Sequence, residues 1–221
     1  MKKIVSFVCA ALCCVAMNAQ LVTSRSVSVS TAPKAPSRTT WMVRLGLATN
    51  NFVGGEDADE LGAKIGYTFG FEFNKSMGQR GAYWGMDFTF ASRGYSFDED
   101  GYEEKLKLHE FQWAPFTFGW KIPVANSLAI DPHVGIFAAG DIAGKLTSKY
   151  DGESLDDVTI GNMDGLNRFD AGLKIGVGVW FKNKFNVDLT YQRGFVPVFD
   201  VDDSDYNVYQ SNFWIRAAYA F

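Results

Sequence analysis

The sequence predicts an all-β fold, an eight-stranded antiparallel up-and-down transmembrane β-barrel, and three observations predict it. The chain is 47% hydrophobic and 15% aromatic. Beyond its first residues, however, no apolar run approaches the roughly 18 that a membrane helix needs. The hydrophobicity must therefore be distributed by alternation. Eight segments do alternate, each able to supply the roughly 9–11 residues of a tilted membrane strand. The charged residues, finally, fall either between these segments or on one of their two faces.

The N-terminus supplies the export context. Lys2 and Lys3 precede an apolar run over 4–16, and Ala16-Met17-Asn18-Ala19 offers a cleavage site before Gln20. This pattern predicts a secretory signal peptide over 1–19, too short to be a membrane span. Cys9, Cys13 and Cys14 all lie within it, so the mature chain is expected to have neither a disulfide framework nor a thiolate metal site. Residues 20–40 carry Ser, Thr, Pro and scattered bases without periodicity and read as a flexible periplasmic leader. The barrel domain is then 41–221.

Side chains alternate across a strand, so each segment assigns an oily outer and a polar inner face. The first sets Trp41, Val43, Leu45 and Leu47 outside against Arg44 and Gly46. The second sets Leu61, Ala63, Ile65, Tyr67, Phe69, Phe71 and Phe73 against Gly62, Lys64, Gly66, Thr68, Gly70, Glu72 and Asn74. In the third, Trp84, Met86, Phe88 and Phe90 oppose Gly85, Asp87, Thr89 and Arg93. The fourth places Phe111 and Trp113 outside, with Glu110 and Gln112 inside. Its parity slips near Ala114-Pro115, so that Phe116, Phe118 and Trp120 face out, which predicts a bulge. The fifth has Leu128, Ile130, Val134 and Ile136 outside and Asp131 and His133 inside, with Pro132 an awkward ladder residue. The sixth alternates from Phe169 to Phe181 against Arg168, Asp170, Gly172, Lys174, Gly176 and Gly178. The seventh sets Phe185, Val187, Leu189 and Tyr191 against Asn186, Asp188, Thr190 and Gln192. The eighth runs back from Phe221 through Tyr219, Ala217, Ile215 and Phe213, with Asn212 and Arg216 inside.

Connections alternate between short (75–80, 124–127, 182–184) and long (50–60, 96–107, 141–167, 195–211). In membrane barrels the short turns are periplasmic and the long loops extracellular, which puts both termini in the periplasm. Nineteen of the 25 acidic residues fall in the long connections, Asp141 among them. The other six, Glu72, Asp87, Glu110, Asp131, Asp170 and Asp188, take inward positions with Arg44, Lys64, Arg93, Arg168, Lys174, Arg193 and Arg216. A base on the lipid face at mid-bilayer costs about 2–4 kcal/mol, so this segregation is what a membrane barrel requires. A soluble lipocalin-like barrel would show the inverse. Eight strands leave an interior just filled by side chains. These acids and bases should therefore pair across a closed core, with inward glycines making room for them. Trp41, Phe73, Trp84, Trp120, Phe181, Phe185 and Phe221 form an expected interfacial belt at the turn end.

A signal peptide ending Asn18-Ala19-Gln20, the run Ala63-Lys64-Ile65-Gly66-Tyr67-Thr68-Phe69-Gly70-Phe71-Glu72-Phe73, the run Leu189-Thr190-Tyr191-Gln192-Arg193-Gly194 and the terminal Phe221 resemble the outer-membrane β-barrel domain proteins of Bacteroidota, labelled porin family or PorT-like. The resemblance covers 41–221. It implies a cell outer membrane location and insertion by the barrel-assembly machinery through the terminal aromatic strand. It implies no catalytic residues.

No catalytic, cofactor-binding or metal-binding set is expected. His109 sits near the outer rim without a neighbouring nucleophile in its own segment, and His133 reads as a core partner of Asp131. Asp200-Val201-Asp202-Asp203-Ser204-Asp205 lacks the glycine and distal glutamate of a helix–loop–helix calcium site. Gly176-Val177-Gly178 lies within a strand and is no nucleotide fingerprint. A net charge of −4 with acidic loops argues against nucleic acid. Partners expected instead are outer-membrane lipid and lipopolysaccharide, bridged through divalent cations at the acidic loops. The leading expectation is a non-enzymatic protein of envelope integrity or surface interaction. A narrow channel and a PorT-like secretion accessory are the alternatives.

Overall fold

The computed structural model of the chain describes residues 39–54, 62–77, 81–99, 101–163, 165–199 and 207–221. The signal peptide, most of the leader, and the acidic runs around 56–60 and 200–205 lie outside them. Eight long strands close a ring: β1 (Thr39–Gly54), β2 (Lys64–Ser76), β3 (Ala82–Arg93), β5 (Tyr102–Trp120), β7 (Leu128–Tyr150), β9 (Phe169–Phe181), β10 (Phe185–Pro197) and β11 (Val208–Ala220). Each pairs antiparallel with the next, and β11 returns to β1 with Met42 opposite Ala220 and Gly54 opposite Val208. The ring leaves none of these strands as a bare edge. Three short strands lie off it: β4 (Ser96–Glu99) on β5, and β6 (Ile122–Ala125) and β8 (Glu153–Thr159) on β7.

The outer face is the apolar half of each alternating strand. Leu45, Ile65, Phe71, Phe116, Ile136, Ile175, Leu189 and Ile215 stand exposed around the circumference. A continuous exposed apolar girdle is stable against lipid and not against water. Ile175, 60% exposed near the middle of β9, therefore offers a test. Ile175→Arg should cost about 2–4 kcal/mol of folding free energy, and Phe181→Arg at the strand end about 0–1 kcal/mol. Urea titration of the chain refolded in liposomes reads both. Equal costs at the two sites would remove the lipid reading of the girdle.

Aromatics ring the end where the turns are short. Trp41 lies 5.0 Å from Phe73 and Phe73 5.5 Å from Trp84, centroid to centroid. Phe185 contacts Tyr219 at 5.3 Å and pairs in register with Phe181. One turn at this end is tight because Lys182 and Asn183 both take left-handed φ (51° and 56°), and the Lys184 N–H closes on the Phe181 carbonyl at 3.1 Å.

The expected bulge is present. The β3–β5 register shifts opposite 114–117, and β5–β7 shifts between Trp113 and Phe116, which turns Ala114 and Thr117 inward and Phe116 outward. Pro132 sits where the ladder on one side is interrupted. Pairing of β7 with β5 ends at Gly119↔His133, and pairing with β6 starts at Ile122↔Ile130.

Several expectations are corrected. The second and third long connections are largely β structure: β5 and β7 stay paired up to Tyr102↔Tyr150, and β4 and β8 flank them as a four-stranded extension. Asp141 belongs to β7 and has a fully buried side chain, so it joins the interior and not a loop. Arg168 is exposed and donates to the Ile160 carbonyl at 2.7 Å. Arg193 has the outward parity of Leu189 and Tyr191 and lies 5.3 Å from the Tyr209 ring. At the loop-end rim the cost of a lipid-facing charge has faded, so both cations can stay outside.

Candidate functional site: the filled interior and the loop-end rim

The inward halves of the eight strands build the interior in layers. At the turn end Trp180 is fully buried beside Met42, Ala129, Ala218 and Ala220. Its indole N–H donates to Asp131 at 2.7 Å, and the same carboxylate accepts the Tyr83 hydroxyl at 3.0 Å. The Lys121 ammonium sits 3.5 Å from the Trp180 ring, a cation–π contact strengthened by desolvation.

Above this layer three cations meet three carboxylates. The Arg216 guanidinium bonds Asp188 at 2.8 Å and Asp87 at 3.2 Å, and Lys174 reaches Asp87 at 3.1 Å. Arg44 pairs with Glu72 at 2.6 Å and approaches Asp188 at 3.6 Å. Thr89 and Thr190 donate to Asp87 and Asp188 at 2.6 and 2.7 Å. Formal charge balances within the layer, and its members are buried. Such burial is tolerable because each charge has an opposite partner, Glu72 through its ion pair with Arg44 alone, since among the described residues neither of its oxygens accepts a hydrogen bond. Glycines make the room: a Cβ at Gly46 would stand 2.7 Å from the Arg216 side chain.

A second ionic group follows toward the loops. Arg93 donates to both oxygens of Asp141, bonds Gln210 at 2.5 Å and lies 3.7 Å from Glu110. The mouth above it is closed by Phe52, Tyr95, Leu106, Leu108, Val198 and Val208, buried together against Phe97, Leu146, Met163 and Phe199. Sequence parity predicted a polar interior. It missed both apolar layers, Trp180 below and this cap above, although Trp180 has the inward parity of Lys174 and Asp170.

The histidines divide. His133 is buried as expected, but its Nε2 lies 3.3 Å from Asp188 and from Thr190, while its Nδ1 meets the Asp131 backbone carbonyl. The expected Asp131 carboxylate partner is instead occupied by Trp180 and Tyr83. His109 lies on the outer rim with Nδ1 3.0 Å from the Tyr67 hydroxyl and its ring stacked on Phe90. Among the described residues neither histidine hydrogen-bonds a serine or cysteine, and no group of three or more His, Cys, Asp or Glu could hold a metal ion.

The loop-end extension carries lysines as well as acids. Lys105 bonds Glu103 at 2.6 Å and Lys145 bonds Asp157 at 2.7 Å. Those hydrogen bonds hold both carboxyls below the usual carboxylate range. Glu104 accepts the Tyr95 and Tyr102 hydroxyls at 2.5 and 3.0 Å. Counting acids alone overstated how bare this surface is.

Comparison with known proteins bears on the fold and the family. Solved structures similar to this chain include Ail, the attachment invasion locus protein of Yersinia pestis (15% identity, 83% of this chain and 99% of that one, TM-score 0.43). Neisserial surface protein A is another (11% identity, 82% and 97%, TM-score 0.45). A third is PagL, described as an outer membrane enzyme (15% identity, 80% and 98%, TM-score 0.43). No curated protein matches. The family assignment rests on a sequence model, the outer membrane protein beta-barrel domain, which matches residues 18–200. With its closed ring of alternating strands and outward apolar girdle, the chain belongs to the outer membrane protein β-barrel domain family.

Proposed function

We propose that this is a closed, non-enzymatic outer-membrane barrel that acts through its loop end, in envelope integrity or surface interaction. One observation carries the reading: the charge-balanced layer around Arg216, Asp87 and Asp188, stacked between the Trp180 layer and the apolar cap. An eight-strand barrel has room for such a filling and for little else. The long loops are then extracellular and the termini periplasmic, which sets β4, β5, β7 and β8 out from the cell as a projecting sheet.

The purified chain in planar bilayers should give no steady single-channel conductance. Steady openings from wild type would overturn the closed-core reading in favour of a narrow channel. In cells, replacing the 145–159 hairpin by a tight turn should leave barrel levels unchanged and raise permeability to a large dye or lower surface binding. No change in either would remove the loop-end role. A PorT-like place in secretion would appear as co-purifying secretion components.

A further inference from the structure

One seam of the barrel wall is irregular. β2 and β3 pair from Ser76↔Tyr83 up to Thr68↔Ala91, and there the regular ladder stops. β2 continues through 64–67 with a regular ladder only to β1, from Leu47↔Tyr67 to Asn50↔Lys64, and contact on the β3 side resumes at the bridge Gly62↔Ser96. Side chains bridge the interruption. The Asn50 amide donates to the Lys64 and Ser92 carbonyls, each at 3.2 Å, and the Tyr67 N–H donates to the Ser92 hydroxyl at 2.9 Å. Beside these contacts lies a cavity of about 360 Å³ lined by Lys64, Arg93, Tyr67, Lys107 and His109, with Lys64 and Arg93 of inward and Tyr67, Lys107 and His109 of outward parity.

This cavity is cationic in an otherwise acidic chain. Among the described residues no carboxylate lines it. The charge of Arg93 is answered by Asp141 and Glu110. The Lys64 ammonium donates to the Leu106 carbonyl at 2.9 Å, its one hydrogen-bond partner among the described residues. Among the described residues neither Lys64 nor Lys107 is in an ion pair. His109 adds a donor. Its Nδ1 lies 3.0 Å from the Tyr67 hydroxyl, and in the tautomer where that hydroxyl donates, Nε2 carries the ring proton.

Its height on the barrel is equally specific. The outward residues of β5 read Phe118, Phe116, Trp113 and Phe111, then His109, Lys107, Lys105 and Glu103. The apolar girdle ends at Phe111 and ionisable groups begin at His109, which is where hydrocarbon gives way to headgroups. Exposed Tyr67, Phe69 and Phe111 continue downward from the cavity as a track for an acyl chain.

We propose that this seam is an anion site for the phosphate ester of a lipid headgroup, with Lys64 and Lys107 supplying charge and the His109–Tyr67 pair a fixed donor. This rests on the reading that the loop end lies at a headgroup plane, and it gives the expected lipid partner a location and a chemistry.

The mature chain in neutral detergent micelles is titrated with diphosphoryl lipid A, with dephosphorylated lipid A and with inorganic phosphate. Binding should require the phosphates, and Lys64→Gln/Lys107→Gln should weaken it at least tenfold. Lys182→Gln/Lys184→Gln, which removes the same charge at the opposite, turn end of the barrel, should change it less than twofold. Lys107→Gln alone alters one exposed side chain, so folding is not at risk, and it should still weaken binding about threefold. Heat-modified gel mobility confirms that each variant is folded. Displacement of the lipid by millimolar inorganic phosphate would support the site and assign it to the free ion. Retention of the lipid would support the headgroup. Equal binding of the dephosphorylated lipid, or equal losses in the two double variants, overturns the proposal. Conductance of the same samples is independent, so failure of the anion site and failure of the closed-barrel reading are separable.

Discussion

Arg216→Met should lower the stability of the folded barrel by about 3–5 kcal/mol, the range for removing one partner of a buried ion pair. Arg216 is 1% exposed and joins two carboxylates, Asp188 at 2.8 Å and Asp87 at 3.2 Å. Its loss leaves two anions facing two cations, Lys174 and Arg44, and Arg44 already serves Glu72. Lys174→Met should cost less, because Asp87 keeps Arg216 and the hydroxyl of Thr89. Arg216→Met/Asp188→Leu should recover part of the loss, since it removes the orphaned charge along with its partner. Reversible urea unfolding in liposomes, followed by tryptophan fluorescence, gives all three values. A cost below about 1 kcal/mol for Arg216→Met, the level of a solvated pair, would mean that water reaches this layer. The closed-core reading would then fall with it.

That Arg216, Lys174 and Asp188 face inward was legible in the sequence, because a strand has period two and lipid penalises charge on the other face. Both conditions must hold. At the rim the penalty lapses, and Arg168 and Arg193 were misplaced by assuming it still applied. Arg193 shares the parity of Tyr191, so its own strand assigned it outward. Asp141 failed in the opposite sense. The inward series Asp131, His133, Phe137 and Ala139 leads to it, and the register shift opposite His109/Glu110 comes only after it. The small residues Ala138, Ala139, Gly140, Ala143 and Gly144 make that stretch read as a loop.

The projecting sheet was hidden for a related reason. In this extension the faces invert, with Leu106, Leu108 and Leu146 turned into the apolar cap and Lys105 and Lys107 outward. Alternation read as oily outside and polar inside therefore did not recognise it, and the pairing Tyr102↔Tyr150 through Leu106↔Leu146 reveals it. The seam cavity could not be read at all. Lys64 and Lys107 lie on different strands, and they meet at one cavity where the β2–β3 ladder stops and side-chain bonds of Asn50 and Ser92 take its place.

Trp180→Ala is expected to cost about 3–5 kcal/mol, the range for emptying an aromatic site in a packed core. The residue is 0% exposed, and the alanines around it, Ala129, Ala218 and Ala220, are too small to collapse into the space. Two polar groups lose a partner as well. Asp131 keeps only the Tyr83 hydroxyl of its two side-chain donors, and the Lys121 ammonium loses the ring 3.5 Å away. Trp180→Phe separates these contributions. It retains a ring for Lys121 and most of the volume but removes the indole donor, so it should cost about 1–3 kcal/mol, the penalty for an unsatisfied buried group. If the turn end is a dry packed layer, the alanine variant must be clearly the worse of the two by urea unfolding. If the two cost the same, the volume of Trp180 contributes nothing, the layer is open to water, and the ion layer around Arg216 is left to close the barrel without support from below.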